Sequence, residues 1–214
     1  MRFVYFIRHA RSQANQQNLL IGRKLAHELN EVGHQQAACL AQRLSAEGVS
    51  AFRTSPLRRA VQTAEVIAAA AGQTPPVIDD DLIERDFGPF DGMDRPRLLA
   101  ARAELGLDNR DPTGYFPAAV PGVEPLDQVQ QRMTRAWQTA IQPAEADHRG
   151  DGKAGHQVGL VSHAGTIKAL LYGALGIQEH HPRAFKIFQA SYVKCKVAAA
   201  GHLTVHEIWI NPVQ

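Results

Sequence analysis

The stretch Phe3-Val4-Tyr5-Phe6-Ile7, followed at once by Arg8-His9, decides the fold. Five consecutive apolar or aromatic residues form a short run that is typical of a strand buried on both faces. A charged pair directly after such a strand lies at the edge of the sheet, where ligands gather in open α/β folds. The chain is therefore expected to carry its chemistry at the carboxyl ends of its strands.

Strand and helix patterns alternate through the first 82 residues. Asn30 is a suitable N-cap for a helix whose apolar positions recur at helical spacing, and Gly48 is a suitable terminator. The elements predicted next are a strand over residues 51–54, a helix over residues 57–71 and a strand from Val77 to about Leu82. This order favours a parallel sheet, so the sequence predicts an α/β fold in a single domain over residues 1–214.

A long irregular segment interrupts the pattern. Residues 90–125 contain several Gly and Pro residues and one weak helical pattern near residues 96–105, and such a segment is either a lid over a ligand site or disordered. The elements expected after it are a helix over 126–146 that Pro143 can end early, a buried strand over 158–161, a helix from Thr166, and strands near 192–198 and 203–210.

The composition is that of an ordinary globular protein. Of the 214 residues, 44% are apolar and 21% are charged, which argues against disordered and fibrous classes. The net charge is only +2, and its Lys and Arg residues are scattered among Asp and Glu. No basic face for a nucleic acid is therefore predicted, and any charge that binds phosphate must be local.

The ends of the chain and its cysteines bear on its location. The amino-terminal apolar run is shorter than that of a secretory leader, and no segment reaches the roughly 18 apolar residues of a membrane span. We therefore expect a cytoplasmic location without a membrane partner. Cys39 and Cys195 lack a partner motif, so the sequence predicts buried free thiols rather than a disulfide or a metal site.

Four segments place charged or polar side chains at predicted strand ends or helix starts. Arg8-His9 offers a guanidinium beside a polar stretch that is able to start a helix, and backbone N–H groups at a helix start attract phosphate. The other segments, which also leave predicted strands or open a helix, contain Arg58-Arg59, Glu84 and His163. We predict that all four loops meet at one pocket.

These segments resemble the motifs of a known family, the histidine phosphatase superfamily, which includes cofactor-dependent phosphoglycerate mutases and acid phosphatases. The first block, Arg8-His9-Ala10-Arg11-Ser12-Gln13-Ala14-Asn15, is similar to the family pattern Arg-His-Gly-x-Ser-x-x-Asn, and the second, Ser55-Pro56-Leu57-Arg58-Arg59-Ala60-Val61-Gln62-Thr63, is similar to Ser-x-Leu-x-Arg-Ala-x-x-Thr. The third block, Glu84-Arg85-Asp86-Phe87-Gly88-Pro89-Phe90-Asp91-Gly92, is similar to Glu-x-x-Phe-Gly-x-Trp-Glu-Gly. The fourth, Val161-Ser162-His163-Ala164-Gly165, is similar to Val-Ser-His-Gly-Gly. The four blocks span most of the chain.

The resemblance implies a three-layer α/β/α sandwich with a mostly parallel sheet of the phosphoglycerate mutase-like type. It also implies that His9 attacks a phosphomonoester and becomes a phosphohistidine. Arg8, Arg59 and His163 would hold the phosphate oxygens in the place that a metal ion occupies in many other phosphoryl-transfer sites, so no metal or other cofactor is expected.

Three further positions follow from the same resemblance. Glu84 is the candidate acid for the leaving oxygen, and once deprotonated it activates the water that hydrolyses the phosphoenzyme. Asn15 and Ala164 are implied to contact the phosphate or the substrate. Ala10 and Ala164 depart from the family, because they replace the glycines that usually follow the two histidines, and a positive φ at either position would strain an alanine.

Several of these residues have a plainer interpretation when they are taken alone. Glu84 would be a solvated carboxylate, and His163 would be a core histidine at a strand end. Arg58 is expected at the surface even beside the other motifs, and Asp86 is expected to be a structural charge. Only the four blocks together favour a catalytic site.

Other polar and aromatic residues fit no role that the sequence can define. The histidines His156, His180 and His181 match no metal-ligand spacing and are expected at the surface. Tyr115 and Phe116 either line a substrate pocket or pack a lid. Neither sign of charge dominates residues 90–125, so the segment does not select a substrate.

Three functions compete. A phosphatase returns the phosphoryl group to water, whereas a mutase returns it to the substrate and must retain a bisphosphate. The mutase pattern of the family has an Arg-Arg pair in the region of Asn109-Arg110-Asp111 and Glu-Arg-His-Tyr-Gly where Glu84-Arg85-Asp86-Phe87-Gly88 stands here. The loss of cationic contacts favours hydrolysis. A non-catalytic phosphate-binding module is the third alternative.

The expected partner is a small phosphorylated substrate such as a sugar phosphate, a nucleoside-type phosphate or a phosphorylated glycolytic acid. The chain is expected to be either a monomer or a homodimer.

Overall fold

The structure is a computed structural model, and it describes residues 2–24, 27–107, 120–142, 157–176, 186–198 and 202–213. Its strands are β1 (Arg2–Arg8), β2 (Ala51–Thr54), β3 (Val77–Ile78), β4 (Gln157–Ser162), β5 (Tyr192–Val197) and β6 (Leu203–Trp209). Its helices are α1 (Gln13–Gln16), α2 (Glu31–Glu47), α3 (Arg58–Ala70), α4 (Arg95–Glu104), α5 (Leu126–Ala140) and α6 (Ala164–Ala174).

The six strands form one mixed sheet in the order β3-β2-β4-β1-β5-β6. The pairs β3–β2, β2–β4 and β4–β1 are parallel, and β5 and β6 continue the sheet in antiparallel fashion. In the central pair, Ile7 lies opposite Val161 and Arg8 lies opposite Ser162. The predicted α/β fold with a mostly parallel sheet is therefore confirmed.

Helices cover both faces of the sheet. Successive residues of β1 point to opposite sides, and the apolar side chains on each side pack against helices. Tyr5 and Ile7 belong to one apolar cluster, which also contains Leu40 of α2 and Ile67 of α3. Val4 and Phe6 belong to the other apolar cluster, which the residues of α5 and α6 complete. Since Val4 to Ile7 are fully buried, the strand is enclosed on both faces, and the helix-sheet-helix layers of the prediction are present.

Helix α2 begins and ends where the sequence indicates. The side chain of Asn30 accepts a hydrogen bond from the N–H of Gly33 at 2.8 Å, and Gly48 ends the helix with a φ of +73°. Gly33 itself touches the loop that follows the first strand, because a Cβ at this position would lie 2.1 Å from the carbonyl oxygen of Arg11. The start of α2 thus packs directly against the Arg8-His9 loop.

Three predicted boundaries are wrong. Strand β3 ends at Ile78 and not near Leu82, because the carboxylate of Asp79 accepts the N–H of Asp81 and starts a 3-10 turn. Helix α5 ends at Ala140, so it is shorter than predicted, and residues 143–146 lie outside the described part. Helix α6 begins at Ala164, two residues before the predicted start.

The segment predicted as a lid is described only in part. Phe87, Phe90 and Leu98 form a small apolar cluster with Val120 and Val123, and α4 lies within this segment. Residues 108–119 are not described, so the expectations for Tyr115, Phe116 and the charges of Asn109-Arg110-Asp111 remain predictions. The single-domain organisation of residues 1–214 also remains a prediction.

Two smaller expectations concern the thiols and the membrane. Cys195 is a buried free thiol as predicted, whereas Cys39 is only half-buried. Within the described ranges, no helix combines the length and the apolar character that crossing a bilayer requires.

We predict that Gly33→Ala destabilises the fold although alanine is the better helix former. Alanine normally adds about 1 kcal/mol of helix propensity, but here its methyl group meets a backbone carbonyl that has little room to move. The expected loss in the free energy of unfolding is about 1–3 kcal/mol in urea denaturation.

Gly173→Ala in α6 is the matched control, since its methyl group would meet only the flexible end of the Gln130 side chain. We expect that substitution to leave stability unchanged or to raise it by up to about 1 kcal/mol. A Gly33→Ala protein as stable as the wild type would show that α2 does not constrain the loop.

Candidate active site

The predicted loops meet at one pocket at the carboxyl edge of the parallel strands. Arg8 and His9 leave β1, Arg59 opens α3, and Glu84 follows the 3-10 turn, and all four line a cavity of about 750 Å³. His163 leaves β4, and its ring centroid lies 5.0 Å from that of His9. The structure therefore brings together the five residues that the motifs single out.

The His9 ring is held in one tautomer. Its Nδ1 lies 2.7 Å from the carbonyl oxygen of Ala10, and because a carbonyl only accepts, Nδ1 carries the proton and Nε2 keeps its lone pair. The side chain is buried, and burial together with the charges of Arg59 and Arg8 lowers the pKa of His9 well below its usual value. His9 is thus neutral, which is the state that a nucleophile requires.

Two arginines, the half-buried Arg8 and the buried Arg59, supply positive charge to the pocket. Arg8 donates from Nη1 to the carbonyl oxygen of Ile187 at 2.7 Å, and Arg59 donates from Nη2 to the carbonyl oxygen of Gly22 at 3.0 Å. Burial lowers the pKa of Arg8 to about 10 and also lowers the pKa of Arg59. Both guanidiniums remain charged at neutral pH, and these bonds to fixed backbone oxygens set their orientation.

His163 is fully buried beside the ring of His9. Its Nε2 lies 2.8 Å from the hydroxyl of Ser55, whereas its Nδ1 has no partner among the described residues. Burial, followed by the charge of Arg59, lowers the pKa of His163 well below its usual value. The ring is therefore neutral, with one nitrogen left for an incoming group.

Glu84 is anchored through one carboxylate oxygen. Its Oε1 accepts hydrogen bonds from the N–H of Arg85 at 2.7 Å, from the N–H of Thr166 at 3.0 Å and from the hydroxyl of Thr166 at 2.7 Å. Among the described residues, its Oε2 accepts only the longer bond of 3.2 Å from the N–H of Gly165. Because Oε1 is saturated, Oε2 is the oxygen that is available to carry a proton.

Gly165 lets this carboxylate approach the start of α6. A Cβ at position 165 would lie 2.8 Å from Oε1 of Glu84. The glycine is therefore required by the close contact and not by its backbone angle. The first turn of α6 also carries Thr166, whose hydrogen bonds to Glu84 the sequence did not indicate.

A half-buried carboxylate, Glu124, was not indicated by the sequence. It forms a two-bond ion pair with Arg132 of α5 and a second ion pair with Arg23 at 2.7 Å. Arg23 also donates to the carbonyl oxygen of Glu84 at 2.8 Å, and Arg132 donates to that of Asp81 at 2.8 Å. These contacts fix the backbone that carries the Glu84 acid.

The electrostatics of Glu124 match this structural role. Burial alone would oppose its ionisation, but Arg132 and Arg23 outweigh that effect and hold the pKa of Glu124 below its usual value. The sequence shows no sign of this carboxylate, because Arg23 lies far away along the chain and Arg132, although only eight residues on, belongs to the helix that follows. Asp86 is structural as predicted, since its side chain accepts the N–H of Gly88 at 2.7 Å.

The two secondary site residues lie where the motifs place them. Asn15 accepts hydrogen bonds on Oδ1 from the backbone and the hydroxyl of Ser12, which caps α1, and it lines the pocket. Its amide Nδ2 is thus the group that remains for a phosphate oxygen. Ala164 also lines the pocket, as the first residue of α6.

The two alanines that replace glycines cause no backbone strain. Neither Ala10 nor Ala164 has a positive φ. Ala10 is fully buried, and its N–H donates to the hydroxyl of Thr63 at 3.0 Å. As predicted, Arg58 is an exposed residue, and it pairs with Glu28.

The remaining histidines that the sequence singled out, His156, His180 and His181, lie outside the described residues. In the part of the chain that the structure covers, no group of three or more His, Cys, Asp and Glu side chains is placed to hold a metal ion.

Comparison with known proteins agrees with this geometry. Residues 4–208 match the histidine phosphatase superfamily (branch 1). Phosphoglycerate mutase-like protein 4 of Arabidopsis thaliana is 32% identical over 170 residues, which make up 78% of this chain and 68% of that protein. A bifunctional protein of Mycobacterium tuberculosis is 35% identical over 170 residues, but these cover 79% of this chain and only 43% of that relative.

The fold is also found among solved structures. A mycobacterial glucosyl-3-phosphoglycerate phosphatase superposes with a TM-score of 0.78 over 98% of each chain at 23% identity, which is a likeness of fold. The match to the family extends over nearly the whole sequence and includes all four motif loops. This chain therefore belongs to the histidine phosphatase superfamily.

Proposed function

We propose that this protein is a metal-independent phosphatase that hydrolyses small phosphomonoesters through a phosphohistidine on His9. The observation that carries the proposal is the hydrogen bond from Nδ1 of His9 to the carbonyl oxygen of Ala10. It leaves a neutral ring with a lone pair on Nε2 beside the guanidiniums of Arg8 and Arg59. Nε2 attacks phosphorus in line, the P–O bond to the alcohol breaks, and the phosphoryl group remains on the ring.

The charge that builds up on the phosphate oxygens has fixed partners in this pocket. Arg8 and Arg59 are held by backbone carbonyls before the substrate arrives, so little reorganisation is needed during the reaction. Nδ1 of His163 and the amide of Asn15 add neutral donors in our assignment. These groups supply what a bound Mg²⁺ supplies in many phosphoryl-transfer sites, and the absence of a metal requirement remains a prediction.

Glu84 carries the proton in both half-reactions. Its Oε2 protonates the leaving oxygen of the alcohol when the phosphohistidine forms. The same oxygen, now ionised, takes a proton from the water that attacks the phosphohistidine, so that inorganic phosphate leaves and His9 is restored. The anchoring of Oε1 by Thr166 and Arg85 keeps the carboxylate oriented throughout.

The size and the walls of the pocket support a substrate larger than phosphate itself. The cavity of about 750 Å³ extends beyond the histidines to apolar side chains such as Leu20, Met93 and Tyr172. Such a cavity accommodates a small organic phosphate. The related proteins carry both mutase and phosphatase names, so residues of this chain must decide between those two reactions.

A mutase is the second candidate, and one observation favours it. Arg95, Lys168 and Lys186 line the cavity in addition to the two arginines at His9. Cations that line the same cavity as the nucleophile are suited to hold a second anionic group, which a mutase requires. Asn109-Arg110-Asp111, where the mutase pattern has its arginine pair, lie outside the described residues. Glu84-Arg85-Asp86-Phe87-Gly88 lacks the histidine and tyrosine of the mutase pattern, and on this ground hydrolysis remains the proposal.

A non-catalytic binding module is less well supported. Such a protein has no use for a proton carrier, yet Glu84 is held by four hydrogen bonds from α6 and Arg85. The oligomeric state and the cytoplasmic location remain predictions of the sequence.

His9→Asn is expected to abolish the phosphoenzyme and to lower kcat by at least about a thousandfold, because the amide cannot accept the phosphoryl group. The protein is mixed with an aryl phosphate that carries a labelled phosphoryl group, in the presence of a chelator, and the reaction is quenched rapidly. The measurement is the amount of acid-labile, alkali-stable label that remains on the protein. His34→Asn, at an exposed histidine of α2, is the control and should retain the label. Unchanged turnover in His9→Asn, or strict dependence on a metal, would overturn the mechanism.

Glu84→Gln separates the two half-reactions. With p-nitrophenyl phosphate the alcohol leaves without help, so we expect a burst of one nitrophenolate per active site followed by turnover that is about 10²–10⁴ times slower than in the wild type. With an alkyl phosphate we expect no burst, because the leaving oxygen then needs the acid. Glu65→Gln, on the exposed face of α3, should behave as the wild type. Equal losses on both substrates without a burst would contradict the double role of Glu84.

The lowered pKa of His9 predicts how stability depends on pH. Between the ordinary histidine pKa and the lower folded-state pKa, the unfolded chain binds a proton that the folded protein does not, so stability falls as the pH decreases. The contribution of His9 is up to about 1.4 kcal/mol per pH unit below about pH 6.5. In urea unfolding at about pH 7 and about pH 5.5, His9→Asn should lose less stability on acidification than the wild type. An equal loss in both proteins would show that His9 is not held neutral by the fold.

A further inference from the structure

The buried hydroxyl of Ser55 lies behind His163, on the side of the ring away from its unpartnered nitrogen. Ser55 is fully buried at the end of β2, and its N–H donates to the carbonyl oxygen of Val161 at 2.9 Å. Its Oγ lies 2.8 Å from Nε2 of His163. The position of the hydroxyl is therefore set by the sheet and not by the ligand.

The direction of the hydrogen bond between these side chains follows from the partners of Ser55. Its Oγ already accepts the N–H of Leu57 at 3.3 Å. Within the described part of the chain, Nε2 of His163 is the acceptor that the hydroxyl hydrogen reaches. If Nε2 were the donor instead, the serine O–H and the Nδ1 lone pair would both be buried without a partner, and each unsatisfied group costs free energy.

We propose that Ser55 is a positioning residue that fixes His163 in the tautomer with its proton on Nδ1. The inference rests on the proposed role of His163 in holding phosphate. The Nδ1–H group has no partner among the described residues, and its ring lies beside the His9 ring, 5.0 Å away between centroids. It is ready to donate to an equatorial phosphate oxygen as the phosphoryl group moves.

The opposite tautomer would harm the reaction. It would turn the Nδ1 lone pair toward an anionic oxygen, and the two acceptors would repel each other. A carboxylate in the place of Ser55 would favour a protonated ring and a fixed positive charge. A hydroxyl orients the ring without adding charge, and Arg8, Arg59 and Arg132, which lie around the ring, disfavour a further cation there.

The direct test is nitrogen-15 NMR of the histidines in the full-length, ligand-free protein at neutral pH. The resonances of His163 are assigned by their loss in His163→Gln. We expect a neutral ring whose proton is on Nδ1. A ring protonated on Nε2, or an equal mixture of the two tautomers, would overturn the proposal without reference to any activity.

Substitution of Ser55 provides the second test. In Ser55→Ala we expect the His163 tautomers to mix and kcat for an aryl phosphate to fall by about 10- to 100-fold, with a smaller change in KM. Ser55→Thr retains the hydroxyl and should restore both the tautomer and most of kcat. Ser191→Ala removes another buried hydroxyl, whose partners are Gln189 and Asn211, and should leave the His163 tautomer unchanged.

The outcomes also separate this proposal from the phosphohistidine mechanism. If Ser55→Ala keeps the Nδ1–H tautomer, then Ser55 does not set it, even when His9 is phosphorylated normally. If the tautomer depends on Ser55 but the wild type forms no phosphoenzyme, the positioning role of Ser55 holds and the proposed function fails. Should the serine variants fail to fold, the tautomer of the wild-type protein still decides.

Discussion

The parallel pairing of β1 with β4 is the constraint on which the site depends. Ile7 lies opposite Val161, and the N–H of His9 continues the pairing with a 2.9 Å hydrogen bond to the carbonyl oxygen of Ser162. This register places His9 and His163 side by side at the point where both strands end. A shift by one residue would turn their side chains to opposite faces and separate them. The two histidines thus meet because of the sheet, and the loops only complete the pocket around them.

Burial then decides which groups in this pocket are charged. Enclosure disfavours the charged form of every side chain, but its consequence differs with the ordinary pKa of the group. Arg8 keeps its charge because its pKa starts so high that a fall to about 10 still leaves it protonated at neutral pH. His9 and His163 start near neutrality and lose theirs. One physical cause therefore produces both the fixed cations and the neutral imidazoles that phosphoryl transfer to histidine needs.

The parts of the molecule that the sequence predicted well are those governed by local signals. Helix α2 follows from a 3.6-residue apolar period between Asn30 and Gly48, and the contrast between exposed Arg58 and buried Arg59 follows from their places in a motif. The early start of α6 was missed because no side chain caps it. Glu124 was missed because Arg132 and Arg23 become its partners only after the chain has folded. Ion pairs between separate elements leave no periodicity in a single sequence.

The placement of the acid shows how few elements the chemistry requires. The backbone N–H groups of Gly165 and Thr166 bind the Glu84 carboxylate, and the residue just before α6 is His163. Any displacement of this helix start would therefore move the proton carrier and a phosphate donor together, so that their separation is preserved. On the opposite side, Arg23 and Arg132 hold the backbone around Glu84 through Glu124. The Glu84 carboxylate is thus held on both sides, and Oε2 is the oxygen that remains to transfer a proton.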